Sequence, residues 1–196
     1  MTHDEVFRRI LIVSCLLLFP VMLYFRLKSQ ATREPLDRRQ EGMFILTTLR
    51  PIAAAFWVGL ILYMANPSRM AWSSLPLPVW MRGAGVLVWA ASGALLLWTL
   101  PALGKNLTDT VVTRRAHTLV THGPYRWILH PFYASALLLI VASSLMTANW
   151  FLALTGLAAF AILVLRVRIE EQKLLERFGE PYRAYRAATG AFYPRL

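Results

Sequence analysis

Apolar residues gather into five stretches along the chain, at 10–25, 43–64, 79–100, 132–147 and 149–167. Each is near the roughly 17 to 25 residues that a helix needs to cross a bilayer. The pattern predicts an all-α integral membrane bundle of five transmembrane helices. In the first stretch Pro20 and Tyr24 are followed by Arg26 and Lys28 with no A-x-A site, so it is expected to stay as an anchor and not to be cleaved as a signal peptide. Only Thr147-Ala148-Asn149 separates the last two stretches, which predicts a tight turn and a helical hairpin. Beyond the fifth stretch, "RVRIEEQKLLERFGEPYRAYRAA" places Leu174, Leu175 and Phe178 on one side of a helix that continues as an amphipathic extension. Gly179 and Pro181 end it, and a short helix carrying Tyr182 and Tyr185 is expected to follow. No internal repeat is present.

Composition agrees with this pattern. Of 196 residues, 57% are hydrophobic and 16% charged, with a mean hydropathy of +0.49. An ordinary soluble domain carries roughly a quarter of its residues charged, and a disordered chain is far less apolar. The net charge of +11 does not imply nucleic acid, because Lys and Arg lie between the apolar stretches, where they set topology. The connection after the first stretch holds Arg26, Lys28, Arg33, Arg38 and Arg39; the one before the fourth holds Lys105, Arg114, Arg115 and Arg126; the tail from Arg166 onward is equally basic. Only Arg8, Arg9, Arg69 and Arg82 fall to the other side, while Arg50 lies within the second stretch beside Pro51. This asymmetry predicts an outside N-terminus and a cytoplasmic C-terminus, in the inner membrane if the source is prokaryotic. The lone Cys15 excludes an internal disulfide, a CxxC pair and a cysteine-rich zinc site.

The connection 101–131 exceeds the roughly 12 to 15 residues beyond which a loop is usually functional or disordered. Its "HTLVTHGPYRW" is aromatic and contains glycine, unlike a disordered tract. Candidate chemistry gathers there and just after the fifth stretch: His117, His122, Tyr125, His130 and Tyr133 in one segment, Arg166, Glu170 and Glu171 in the other. Arg166 and Glu170 are four apart and share a helical face, where they can present a cation and an anion to a ligand or pair with each other. The intervals between His117, His122 and His130 match no metal-binding spacing, so no metal is expected. His130 before Pro131 can equally cap a helix, and His122 has no reading better than solvent exposure. The glycines of "RGAGVLVWAASG" sit inside an apolar span with no preceding strand, so they serve close packing and not a dinucleotide turn. Ser143-Ser144 reads as a packing pair, and neither G-x-S-x-G nor a Walker lysine loop occurs.

The residues "HTLVTHGPYRWILHPFY" and, some way further on, "RVRIEEQKLLERFGEPYRAYRAATGAFYP" resemble the isoprenylcysteine carboxyl methyltransferase family and its prokaryotic members. The resemblance runs from Leu103 to the C-terminus and rests on G-x-Y, H-P-x-Y, E-E and F-G-x-x-Y in that order. It implies an integral membrane methyltransferase that uses S-adenosylmethionine in a cytosolic pocket of the C-terminal half, with 1–100 as a three-helix membrane part and 101–196 as the cofactor-binding part. Carried across, cofactor contacts fall on His117, Thr118, Leu119, Val120, Tyr125, His130, Pro131, Phe132, Tyr133 and Glu170, and the substrate arginine on Arg166. Leu129 stands where the family usually has arginine. The acceptor implied is lipophilic or lipidated: a carboxylate such as an isoprenylcysteine-like group, or a lipid amine or thiol. Membrane lipids are the expected surroundings, and nucleic acid is not expected. H-P-x-Y also occurs in membrane sterol reductases, so an NADPH-dependent lipid reductase is the alternative, with a non-catalytic scaffold of the same fold as a third reading.

Overall fold

A computed structural model describes residues 2–30, 43–104 and 118–195. Six α-helices follow in chain order: α1 (His3–Gln30), α2 (Met43–Ala65), α3 (Val79–Leu103), α4 (Pro131–Thr147), α5 (Trp150–Phe178) and α6 (Glu180–Ala188). Short 3-10 segments, Pro67–Ser73 and Gly123–Arg126, precede α3 and α4. Among the described residues no strand forms beyond two isolated bridges.

Helices α1, α2, α3 and α5 are each long and apolar enough to cross a membrane. Helix α4 is shorter, at 17 residues. The helices outrun the apolar stretches because polar side chains support backbone helix beyond them. At the start of α1, Glu5 pairs with Arg8 and Arg9 at helical spacing. At the far end of α5, the helix continues through Arg166–Arg177 until Gly179, whose φ of +59° ends it.

The predicted hairpin is present. Ala148 adopts a left-handed conformation, φ 47°, that closes α4, and Asn149 caps α5 by accepting from the Leu152 N–H at 3.1 Å. The Asn149 amide also donates to Met70 O and Ser73 Oγ, so the turn is sewn to the 3-10 segment after α2.

The core lies where α1, α2, α3, α4 and α5 converge on Phe7, Leu11, Phe56, Leu60, Trp89, Ile140, Met146 and Leu152. The most extensive helix pair is α3 with α4. Of the glycines read as packing residues, Gly85 fills that role and Gly83 does not. A Cβ on Gly85 would lie 2.9 Å from Leu145 Cβ and 3.0 Å from Met146 N, whereas one on Gly83 would meet nothing within 4 Å. Because the obstacle at Gly85 includes backbone, α3 and α4 must separate to admit a methyl group. Gly85→Ala is therefore expected to cost about 1–3 kcal/mol, read as a lower heat-unfolding midpoint in detergent, with Gly83→Ala as the unaffected comparison. Ser143 and Ser144 each donate to the carbonyl four residues back, which lets these polar residues sit in the apolar α4.

The two ends of the bundle are chemically different. At one, Arg82 is buried, at 6% exposure. It donates through Nε to Met146 O at 3.0 Å and through Nη2 to Tyr63 Oη at 3.1 Å, pairs with Asp4 at 2.8 Å, and lies over the Phe7 ring. One guanidinium thus joins α1, α2, α3 and α4. The other end holds the ionisable cluster described next.

Candidate functional site

Helices α4 and α5 run antiparallel from the Ala148–Asn149 turn, so the start of α4 meets the last third of α5. That register brings residues 130–133 against residues 170–171. Tyr133 Oη donates to Glu170 Oε2 at 2.7 Å, and His130 Nε2 lies 3.1 Å from Glu171 Oε1. The His130 and Tyr133 rings meet edge to face with centroids 5.7 Å apart. Pro131 is the buried first residue of α4, where its missing N–H costs nothing, and Phe132 packs edge-on against Tyr133. His130 is the N-cap residue of α4, its carbonyl accepting from the Ala134 N–H at 3.0 Å, but its side chain makes no capping bond.

The C-terminal tail closes one side of the cluster. Arg186 of α6 reaches Glu171 Oε2 at 3.0 Å, and Tyr185 Oη donates to the Tyr125 carbonyl at 2.6 Å. Beyond α6 the chain folds back: Leu129 N donates to Gly190 O at 2.8 Å, His130 N donates to Ala191 O at 3.0 Å, and Phe192 lies against the His130 ring. The turn requires glycine, since a Cβ on Gly190 would come within 1.9 Å of the Tyr193 carbonyl oxygen. His130 is left 4% exposed, held by side chain and backbone alike.

Three tyrosines surround the carboxylates. Burial raises the Tyr125 hydroxyl far above its ordinary range, and the charge of Glu170 adds to the effect. Burial likewise raises Tyr182, with a further contribution from Glu171, and pushes Tyr185 up to about 12. All three therefore stay neutral at physiological pH and keep their hydroxyl protons, so none serves as a base. The Tyr182 hydroxyl, in a residue only 1% exposed, has no hydrogen-bond partner among the described residues. A buried donor left without an acceptor costs about 1–3 kcal/mol, which a ligand oxygen or nitrogen can relieve.

The structure thus brings together His130, Tyr133 and Glu170, with Tyr125 near enough for its hydroxyl to feel the Glu170 charge. Arg166 is half-buried one turn before Glu170 on α5. Thr118 is exposed and Leu119 and Val120 half-buried in the non-helical stretch leading to Gly123–Arg126; His117 lies outside the described residues. His122 is exposed, as its sequence suggests, and Leu129 is buried, its backbone tied to the tail. Sequence reasoning left Glu171 without a role and overlooked Arg186 as its partner. The E-E pair was visible, but the α6 fold-back that supplies the arginine has no periodic signal.

Fold and cluster together define a class: a helical membrane protein whose paired carboxylates, histidine and tyrosines gather at one end of a hairpin of helices. Residues 85–176 match the model of the isoprenylcysteine carboxyl methyltransferase (ICMT) family. It is 36% identical over 112 residues to the cobalt-zinc-cadmium resistance protein CzcN of Cupriavidus metallidurans, covering 52% of this chain and 50% of that protein. It is 28% identical over 118 residues to the protein-S-isoprenylcysteine O-methyltransferase of Tribolium castaneum, covering 59% of this chain and 42% of that one. The chain spans about half the length of the curated relatives it matches. The solved structure of the eukaryotic intramembrane Ras methyltransferase ICMT shares the fold, with a TM-score of 0.56 at 24% identity over 74% of this chain and 51% of that one.

Proposed function

We propose that this chain is an integral membrane methyltransferase that takes its methyl group from S-adenosylmethionine and passes it to a lipophilic or lipidated acceptor. The observation that supports this most directly is the meeting of H-P-x-Y with E-E, sealed by Tyr133 Oη donating to Glu170 at 2.7 Å. The donor set suits the cofactor. Glu170 offers a carboxylate to hydroxyl or ammonium groups, Tyr125 and Tyr133 offer ring faces toward a sulfonium or adenine, and Tyr182 offers a buried hydroxyl that lacks an acceptor. The backbone of 117–120, together with His130, Pro131 and Phe132, completes the proposed contacts.

When bound, the cofactor supplies an electrophilic methyl group on a sulfonium sulfur, open to in-line displacement by an acceptor oxygen. The protein's own share is positioning. Glu170 and Tyr133 hold the polar end, the tail and α4 exclude water, and Arg166, one turn from Glu170, holds an acceptor carboxylate by bidentate contact. No covalent enzyme intermediate is needed. A carboxylate on a lipid tail is the preferred acceptor, by likeness to relatives named as isoprenylcysteine O-methyltransferases. In this reading α4 also crosses the bilayer as a fifth span, with the N-terminus outside and the pocket and C-terminus cytoplasmic. Residues 101–196 then form the cofactor-binding part and 1–100 the membrane support.

Calorimetric titration of S-adenosylmethionine and S-adenosylhomocysteine into the detergent-purified chain tests this, with NADPH as the control. Saturable binding of both adenosyl compounds is expected. Binding of NADPH alone would move the protein to the lipid reductases.

A further inference from the structure

Glu171 stands beside the proposed pocket with both carboxylate oxygens committed elsewhere. Oε1 lies 3.1 Å from His130 Nε2, and Oε2 lies 3.0 Å from the Arg186 guanidinium. Consecutive helical residues point about 100° apart around the axis. So Glu170 meets Tyr133 while Glu171, its neighbour, meets His130 and the tail. The consequence is mechanical. His130 is the last residue before α4, and Tyr133, three residues on, carries the hydroxyl bonded to Glu170. Whatever holds the His130 ring also holds the first turn of α4 in register with α5.

Arg186 has a second effect. Glu170 and Glu171 are adjacent carboxylates, and the guanidinium offsets the repulsion between them by pairing with one. It comes from α6, a helix joined to α5 through Gly179 alone. Besides the Tyr185 bond to the Tyr125 carbonyl, docking of α6 therefore reaches the paired carboxylates through Arg186 on Glu171.

We propose that Glu171 is a positioning residue which, braced by Arg186, fixes His130 and through it the Tyr133–Glu170 pair, so that docking of α6 sets the affinity of the pocket for its cofactor. This rests on the S-adenosylmethionine reading above.

The test is titration of S-adenosylmethionine into the detergent-purified full chain and into Glu171→Ala, Arg186→Ala, the double variant and Arg186→Lys. Each alanine variant should weaken binding about tenfold. The double variant should lose no more than Glu171→Ala alone, because both act through one carboxylate. Arg186→Lys should restore affinity to within about threefold of the parent, since an ammonium still pairs with Oε2. Arg183→Ala, exposed on the same helix and paired with Glu180 one turn away, should bind as the parent does. Unchanged affinity in Glu171→Ala, or additive losses in the double variant, overturns the proposal. If Glu171→Ala fails to fold, the contrast between Arg186→Ala and Arg186→Lys decides: equal loss in both overturns it.

A second arm needs no cofactor. Hydrogen exchange at the backbone amides of Leu129, His130 and Tyr133 should quicken in ligand-free Arg186→Ala and not in Arg183→Ala, and equal exchange in the two overturns the brace. A parent chain that binds neither adenosyl compound refutes the pocket reading, and the exchange result then judges the brace alone.

Discussion

Glu170→Ala is expected to weaken S-adenosylmethionine binding by about 10- to 100-fold, while Arg166→Ala leaves that affinity within about threefold and lowers turnover instead. The magnitude follows from the chemistry lost. Hydrogen bonds to an ionised group contribute about 1.5–3 kcal/mol, and each 1.4 kcal/mol is tenfold in a dissociation constant. Glu170 has its partner Tyr133 across the α4–α5 interface, so its removal takes away both the proposed ligand contact and the group that orients the phenol. Arg166, a turn away, faces the acceptor in the proposed arrangement, and its loss removes an interaction formed as the acceptor is aligned. Calorimetry on both variants, with single-turnover methyl transfer once an acceptor is in hand, separates the roles. Equal loss of cofactor affinity in both would sink the division of labour.

Arg82→Ala is expected to destabilise the bundle by about 3 kcal/mol while leaving cofactor affinity within about threefold. Breaking a buried ion pair from one side costs about 3–5 kcal/mol. The lower end applies because Asp4, its partner, is half exposed and regains water. The cost falls on the Met146 carbonyl and the Tyr63 hydroxyl, which lose a donor inside the protein. Arg82→Lys should recover only part of it, because one ammonium cannot reach α1, α2 and α4 at once. Heat unfolding in detergent reads the first effect and calorimetry the second. A matching collapse of cofactor binding in a folded variant would contradict the separation of the two ends.

Helix positions were legible wherever hydropathy is the deciding force. The five apolar stretches coincide with α1 to α5, the fifth apart from its capping Asn149, the Ala148–Asn149 turn and the Gly179 stop fall where expected, and α6 carries Tyr182 and Tyr185. Hydropathy does not report where helical hydrogen bonding ends among charged residues, so α1 begins at His3 and not at residue 10. The segment Pro67–Ser73 gave no periodic signal either; a cap by Asn66 and Pro67 at its start make it a 3-10 helix. At the site, H-P-x-Y and E-E could be read locally, and antiparallel packing of α4 on α5 then joined them. Arg82, Arg186 and the fold-back at Gly190 were not legible, because each depends on a partner on another element that only tertiary structure supplies.

In the proposed membrane arrangement the hairpin turn also sets depth. Trp72 and Trp150 pack edge to face beside it, both exposed, as aromatic residues do at the headgroup level. From there, at 1.5 Å per residue, α4 returns to Pro131 after about 25 Å and α5 reaches Glu170 after about 30 Å. A hydrocarbon core is also about 30 Å thick. If α4 crosses as the proposed fifth span, a helix this short creates hydrophobic mismatch, drawing the bilayer thinner along its flank. In that proposed arrangement the pocket end of the hairpin lies level with the lipid carbonyls and not out in bulk water. A prenyl or acyl chain could stay dissolved among its neighbours while its head group is modified, sparing the cost of extracting it.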